Sequence, residues 1–111
     1  MSQRKKQIRQ KFRAAVFARD GFACRGCGFA SAPKRAEDEL DAHHITDRNE
    51  MPNGGYVAEN GISLCADCHA KAEAFHCGEP VPAGFLPEDL YALIGSSEEE
   101  ARTASERLAE E

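Results

Sequence analysis

The chain has 111 residues, of which 41% are hydrophobic, and its net charge at pH 7 is −5. This length predicts one small domain with a thin apolar core. No apolar run approaches the ~20 residues of a membrane span, so a membrane protein is not expected. Residues 1–6 are polar or basic apart from Met1 and lead into no apolar segment, which predicts a cytoplasmic rather than a secreted protein.

The charge is divided unevenly along the chain. Residues 1–35 carry ten Lys or Arg and one acidic residue, whereas residues 36–111 carry four Lys or Arg and eighteen acidic residues. The overall negative charge argues against a generic nucleic-acid coat, but a basic arm on an acidic body still allows a local phosphate-binding surface. The alternative is a solvated helix face followed by an acidic, solubilising tail.

The first half of the chain predicts a helix, a cysteine turn and a strand. Ile8, Phe12 and Val16 recur at helical spacing within residues 3–19, and Gly21 marks the end of that helix. Residues 24–28 read as a tight turn between two cysteines, and the polar residues 30–39 as a loop. Residues 40–45 alternate enough to predict a strand.

The second half predicts a second strand and further helices. Residues 49–55, with Gly54-Gly55, read as a turn before a short strand at 62–64. Helices are predicted at 69–75 and 87–94, the latter with proline in its first turn. Ser97 and Glu100 match a capping box, but residues 96–111 offer few apolar side chains, which predicts an acidic tail or a frayed helix.

Two Cys-x-x-Cys pairs, Cys24/Cys27 and Cys65/Cys68, predict a structural zinc site. Two such turns can supply four thiolates in a tetrahedron around Zn²⁺, which leaves no open position for catalysis. Two disulfides would require an oxidising compartment, and a redox pair would be expected alone in a βαβ context. The fifth cysteine, Cys77, is expected to be a small buried hydrophobe rather than a ligand.

The segment between the cysteine pairs contains His43-His44, followed by Asn60, and His69 directly follows Cys68. Two adjacent histidines are weak evidence of a functional site on their own. Their order relative to the two cysteine pairs makes that evidence stronger. The pattern C-x-x-C, H-H-I, G-G, N-x-x-x-L-C-x-x-C-H resembles the HNH nuclease family, whose zinc-containing members have the ββα-metal fold. The resemblance covers residues 10–76.

The resemblance implies an α+β, zinc-stapled ββα-metal domain with an N-terminal helix and a C-terminal helical extension. Residues 1–95 would form the nuclease domain, with a basic helix at 3–19 and the zinc knuckles and active site at 24–76, and residues 96–111 the tail. It implies that His44 is the general base, that His43 and His69 bind a catalytic divalent ion, and that Asn60 holds the loop and orients the strand of His44.

This chain departs from the family at one position. Many relatives place a second histidine one turn after the equivalent of His69, where this chain has Glu73. Glu73 lies on the same helix face and can supply an oxygen ligand, which suits Mg²⁺ or Mn²⁺ better than a site of three imidazoles; Ni²⁺ is a further catalytic ion to consider. Asp41 is a second candidate carboxylate, and His76 is expected to lie beyond this helix face and to be non-catalytic.

The resemblance also implies a metal-dependent DNA endonuclease with little sequence preference, acting in a bacterial or phage-infected cell. A phage genome, a mobile element and a host restriction or repair role all fit the sequence. A homodimer or a larger phage or host complex is the expected assembly. The expected phosphate contacts come from the basic residues of the first helix, namely Arg4, Lys5, Lys6, Arg9 and Lys11. The alternatives are a catalytically inactive, zinc-stapled DNA-binding or adaptor module and a purely structural zinc domain.

Overall fold

The computed structural model describes residues 2–108, and within them the chain is an α+β domain, as predicted. The five α-helices are α1 (Ser2–Arg19), α2 (Ala36–Glu39), α3 (Ala66–His76), α4 (Pro87–Leu93) and α5 (Glu98–Arg107). The two strands are β1 (Asp41–His44) and β2 (Gly61–Leu64). No helix in this part of the chain is long and apolar enough to cross a membrane.

The two strands form one antiparallel sheet in which His43 pairs with Ile62 and His44 pairs with Gly61. Residues opposite each other in such a pair lie on the same face. Helix α1 packs on the face of His44 and Gly61, where Phe12 and Val16 are buried. A Cβ on Gly61 would lie 2.5 Å from Val16 Cγ2, so the absence of a side chain lets the helix approach the sheet.

A buried carboxylate joins the end of α1 to β2. Asp20 accepts hydrogen bonds from Arg19 Nε (2.8 Å), Arg25 Nη1 (3.1 Å) and the backbone N–H of Ser63 (2.8 Å). Burial raises the pKa of Asp20, but the hydrogen bonds from Arg19 and Ser63 outweigh burial and hold it below its ordinary value. Asp20 is therefore ionised at neutral pH and fixes the helix to the sheet.

The C-terminal residues pack on the loop between the strands. Ala101 and Ser105 of α5 are fully buried, and Asn53 Nδ2 donates to the Ser105 carbonyl at 2.9 Å. Ser97 Oγ accepts from the Glu100 N–H at 3.0 Å, which is the predicted N-cap. Residues 98–107 are thus a docked helix; the domain boundary at residue 95 stays a prediction, and residues 109–111 of the expected tail lie outside the described range.

Two local predictions are wrong. The segment 30–39 contains the short helix α2, because Ala36 is buried and the Ser31 hydroxyl donates to Glu39 at 2.7 Å. Cys77, expected to be buried, is exposed. It directly follows the last residue of α3, where its N–H donates to the Glu73 carbonyl and no further turn covers its side chain.

We expect Asp20→Ala to lower the free energy of unfolding by about 2–3 kcal/mol, because it leaves the buried Ser63 N–H and two guanidinium groups without their acceptor. Chemical denaturation of the zinc-loaded protein measures this loss. Asp38→Ala, the same change at an exposed position of α2, should alter the value by less than about 0.5 kcal/mol. Equal losses in the two variants would contradict the assigned role of Asp20.

Candidate active site and metal centre

The four cysteines of the two pairs converge on one point. Cys24 and Cys27 lie in the turn after α1, whereas Cys65 directly precedes α3 and Cys68 lies in its first turn. Their four sulfur atoms all lie within 4.8 Å of one another, and the Sγ atoms of Cys27 and Cys65 are 3.7 Å apart. A tetrahedron with Zn–S bonds of ~2.3 Å places its sulfurs about 3.8 Å apart. The cluster therefore has the composition and size of a four-thiolate zinc site.

Two further features fit a metal between these cysteines. Burial raises the pKa of Cys24, but backbone N–H groups, including that of Gly26 at 3.3 Å from the sulfur, outweigh it and lower the pKa to about 7. A thiolate at Cys24 is thus accessible near neutral pH, as zinc binding requires. A Cβ on Gly26 would lie 2.8 Å from Cys68 Sγ, so glycine lets the first turn close over the second pair.

His43 and His44 point to opposite faces of the sheet. His43 is 2% exposed and faces α3, with its ring centroid 5.1 Å from that of His69. His44 faces α1, where its ring stacks on Phe12 at 4.6 Å and meets the ring of Tyr56 edge-on at 4.8 Å. His43 and His44 are the last two residues of β1, and both line one cavity of about 290 Å³.

We call this space the histidine cavity, and it is lined by His43, His44, His69, His76, Glu73, Arg48 and Tyr56. On one side, His43, His69 and Glu73 each offer an atom within 4.8 Å of the others. Glu73 Oε1 lies 3.4 Å from His43 Nδ1 and 3.3 Å from His69 Nε2. Two imidazole nitrogens and a carboxylate oxygen can together hold one divalent ion.

Asp41 contacts one member of this cluster, His69. It lies two residues before His43, on the same strand face, and its Oδ2 is 3.2 Å from Nδ1 of His69. The other nitrogen of His69 faces Glu73. A carboxylate on one nitrogen of a histidine sets the tautomer in which the opposite nitrogen is free to bind a metal. The structure therefore places Asp41 beside His69 rather than within the His43–His69–Glu73 cluster.

Both strand histidines are neutral at pH 7. Burial lowers the pKa of His43 to about 3, and the neighbouring imidazoles of His69 and His76 lower it further. Burial likewise lowers the pKa of His44 to about 4, with the charge of Arg48 acting in the same direction. His43 Nδ1 and His44 Nε2 are buried and make no hydrogen bond within residues 2–108. No hydrogen bond from the described residues satisfies either nitrogen, although Glu73 Oε1 lies 3.4 Å from His43 Nδ1.

Asn60 is buried and clamps the loop that follows His44. Its Oδ1 accepts from the Thr46 N–H at 3.0 Å, and its Nδ2 donates to the carbonyls of Thr46 and Gly55 at 3.1 and 3.2 Å. The hydroxyl of Tyr91, in α4, donates to the same Oδ1 at 2.7 Å. Asn60 does not line the histidine cavity. Its side chain fixes the loop backbone at Thr46 and Gly55.

The site contains several residues that the sequence patterns either do not indicate or place elsewhere. His76, expected beyond the helix face, lies on it: it lines the histidine cavity and its Nε2 donates to the His44 carbonyl at 3.2 Å. Residues 69, 73 and 76 are spaced i, i+4 and i+7, a helical signal that could have located it. Arg48 and Tyr56 line the cavity from the loop, and Tyr91 supports Asn60; no motif marks these three.

The basic residues of α1 face different directions. Lys5 and Arg9 line a second cavity of about 310 Å³ whose wall also includes Arg48 and Tyr56. Arg4 and Lys11 line a third cavity beside Leu108. Lys6 is exposed and lines neither. Of these five residues, Lys5 and Arg9 line a cavity that shares Arg48 and Tyr56 with the histidine cavity.

Residues 24–75 match the family model described as HNH endonuclease. The matched segment begins at the first zinc-type cysteine and includes both cysteine pairs, His43, His44 and Asn60. No curated protein and no solved structure gave a match. This match confirms, over residues 24–75, the resemblance to the HNH family that the sequence shows.

Proposed function

We propose that this protein is a metal-dependent endonuclease that hydrolyses DNA phosphodiester bonds, by nicking or cutting, with little sequence preference. The observation that carries the proposal is the arrangement around the histidine cavity. The cavity is lined by His44, whose Nε2 has no hydrogen-bond partner among the described residues, and by a set of metal-type ligands, His43, His69 and Glu73. Phosphodiester hydrolysis needs these two elements, a proton acceptor and a cationic centre.

In this proposal His44 is the general base. Its Nε2 takes a proton from a water molecule as the water oxygen attacks phosphorus and the bond to the leaving oxygen breaks. The imidazole is neutral at pH 7, so its lone pair is available. Stacking on Phe12 and contact with Tyr56 hold the ring in one orientation. Asn60 is a positioning residue, which acts on His44 through Thr46.

His43, His69 and Glu73 would hold the catalytic ion, and Mg²⁺, Mn²⁺ and Ni²⁺ are the candidates. When bound, such an ion neutralises charge on the phosphate and the leaving oxygen. The buried Nδ1 of His43 supports this assignment, since it makes no hydrogen bond within the described residues and Glu73 Oε1, itself a candidate ligand, lies 3.4 Å from it. The carboxylate of Glu73 favours the harder ions Mg²⁺ and Mn²⁺.

The four cysteines would hold a structural zinc ion that fixes the turn after α1 to the start of α3. This places His69, the residue after Cys68, at a defined position opposite His43. Since a closed set of four thiolates has no open position, this second metal would contribute stability and not catalysis.

DNA would reach His44 along the surface of Lys5 and Arg9, whose cavity shares Arg48 and Tyr56 with the histidine cavity. Phosphate contacts of this kind carry no sequence information, in keeping with low specificity. A double-strand cut needs two active sites, for which a second copy of the chain or a larger phage or host complex is the proposed partner.

His44→Ala should retain zinc and fold but cleave supercoiled plasmid about 10²–10⁴-fold more slowly than wild type, because it lacks the proton acceptor. Nicking is followed with Mg²⁺, Mn²⁺ or Ni²⁺, and without an added divalent ion. Added imidazole should restore part of the rate. Equal rates for the variant and wild type would rule out His44 as the base. Failure of folded, zinc-loaded wild type to cleave with any of these ions would instead favour the DNA-binding module.

The neutral state of His44 predicts a pH dependence of stability. Its pKa is about 4 in the folded chain and ~6.5 when unfolded, so the unfolded state takes up the proton first as the pH falls. The stabilisation is complete above pH 6.5 and is lost progressively towards pH 4. Between pH 7 and pH 5, wild type should lose about 2 kcal/mol more unfolding free energy than His44→Phe. Parallel curves for the two proteins would show that His44 is not held neutral.

Cys65→Ser should abolish the cooperative thermal transition and the bound zinc, because metal binding supplies folding free energy that the thin core lacks. Cys77→Ser is the matched control, since Cys77 is exposed and lies outside the cluster. It should bind one equivalent of zinc and melt like wild type. A zinc-free Cys65→Ser protein that unfolds cooperatively at the wild-type temperature would contradict the structural role of the metal.

A further inference from the structure

Arg48 and Tyr56 lie where two cavities meet. Both residues line the histidine cavity, and both line the second cavity with Lys5 and Arg9. The two residues come from the loop between β1 and β2, in which Asn60 fixes the backbone at residues 46 and 55. A chain of phosphate groups that reaches His44 from the side of α1 must therefore pass Arg48 and Tyr56.

Tyr56 holds Arg48 next to the general base. Nη1 of Arg48 donates to the Tyr56 hydroxyl at 3.3 Å, and the edge of the Tyr56 ring meets His44 at 4.8 Å. The same ring contacts Phe12 of α1 edge-on at 5.7 Å. One aromatic side chain thus links the guanidinium, the imidazole and the basic helix.

No carboxylate of the described residues forms a direct ion pair with the two arginines at this point, although Asp47 lies in the same cavity. Burial raises the pKa of Tyr56, but hydrogen bonding and the charges of Arg48 and Arg9 outweigh it and lower the pKa. Within residues 2–108, neither arginine makes a salt bridge. Asp47 lines the histidine cavity, but its carboxylate accepts from the Asn49 N–H at 3.1 Å and makes no salt bridge with Arg48. Two guanidinium groups beside one hydroxyl have the chemistry to bind an anion.

We propose that Arg48 and Arg9, with Tyr56 between them, bind successive phosphate groups of one DNA strand and place the scissile phosphodiester against His44. Arg48 binds the phosphate in the histidine cavity, and Arg9 binds a neighbouring phosphate in the second cavity. Tyr56 is a positioning residue that orients Arg48. This inference rests on the proposed function and adds to it the residues that hold the substrate.

The first test measures binding and does not depend on cleavage. A fluorescein-labelled 20-base-pair duplex is titrated with zinc-loaded protein, without added divalent ion, at several salt concentrations. Because each phosphate contact contributes about 0.9 to the slope of log Kd against log salt, Arg48→Ala and Arg9→Ala should each lower the slope by about that amount. Lys34→Ala, the same charge change at an exposed position that lines neither cavity, should leave the slope unchanged. Slopes for the arginine variants equal to that of Lys34→Ala would overturn the proposal.

The second test separates an effect on substrate binding, measured as KM, from an effect on the chemical step, measured as kcat. Tyr56→Phe keeps the ring against His44 and removes the hydroxyl that receives Arg48. It should raise KM for plasmid nicking about three- to tenfold and leave kcat within about twofold of wild type, and Arg48→Lys should recover part of the activity lost in Arg48→Ala. A fall in kcat with unchanged KM would overturn the role given to Tyr56.

The two tests distinguish this inference from the proposed function. If wild type cleaves DNA through His44 while Arg48→Ala and Arg9→Ala match Lys34→Ala in slope and KM, the inference fails and the endonuclease assignment stands. If wild type does not cleave but the slopes fall as expected, the phosphate site stands and the endonuclease assignment fails.

Discussion

Consecutive side chains of an extended strand point to opposite faces of a sheet, and β1 ends with two histidines in succession. This alternation sends His43 towards α3 and His44 towards α1, so the two imidazoles occupy different surroundings although they are adjacent in the chain. Both still border the histidine cavity. The proposed division of labour, metal ligand and general base, follows from the strand geometry rather than from any difference between the two side chains.

The rest of the fold keeps this short strand in place. A pair of four-residue strands is too small to be stable alone, and three polar clusters brace it. Asp20 ties α1 to β2, Asn60 ties the two ends of the intervening loop together, and the cysteine cluster ties the turn after α1 to α3. Each cluster joins segments far apart in the chain, so the positions of His44 and His69 depend on all three.

The parts of the site that the sequence could predict are those fixed by local spacing. The Cys-x-x-Cys turns, the strand around His43-His44 and the helical interval from His69 to Glu73 were each visible, because turn, strand and helix geometry impose fixed intervals. Arg48, Tyr56 and Tyr91 could not be located in this way. They come from a loop and a distant helix and reach the site only through tertiary packing, as with Tyr91, which is thirty-one residues from its partner Asn60. Cys77 was misjudged because its exposure depends on where α3 ends.

The central claim is that one cavity brings a phosphodiester between His44 and an ion held by His43, His69 and Glu73. A crystal structure of the His44→Ala protein with a short DNA duplex and Mn²⁺, phased on the anomalous signals of manganese and zinc, tests it directly. The account predicts zinc among the four cysteines, manganese on His43 Nδ1, His69 Nε2 and Glu73, and a backbone phosphate in the histidine cavity. Manganese absent from this cluster, or DNA bound on another face, would contradict it.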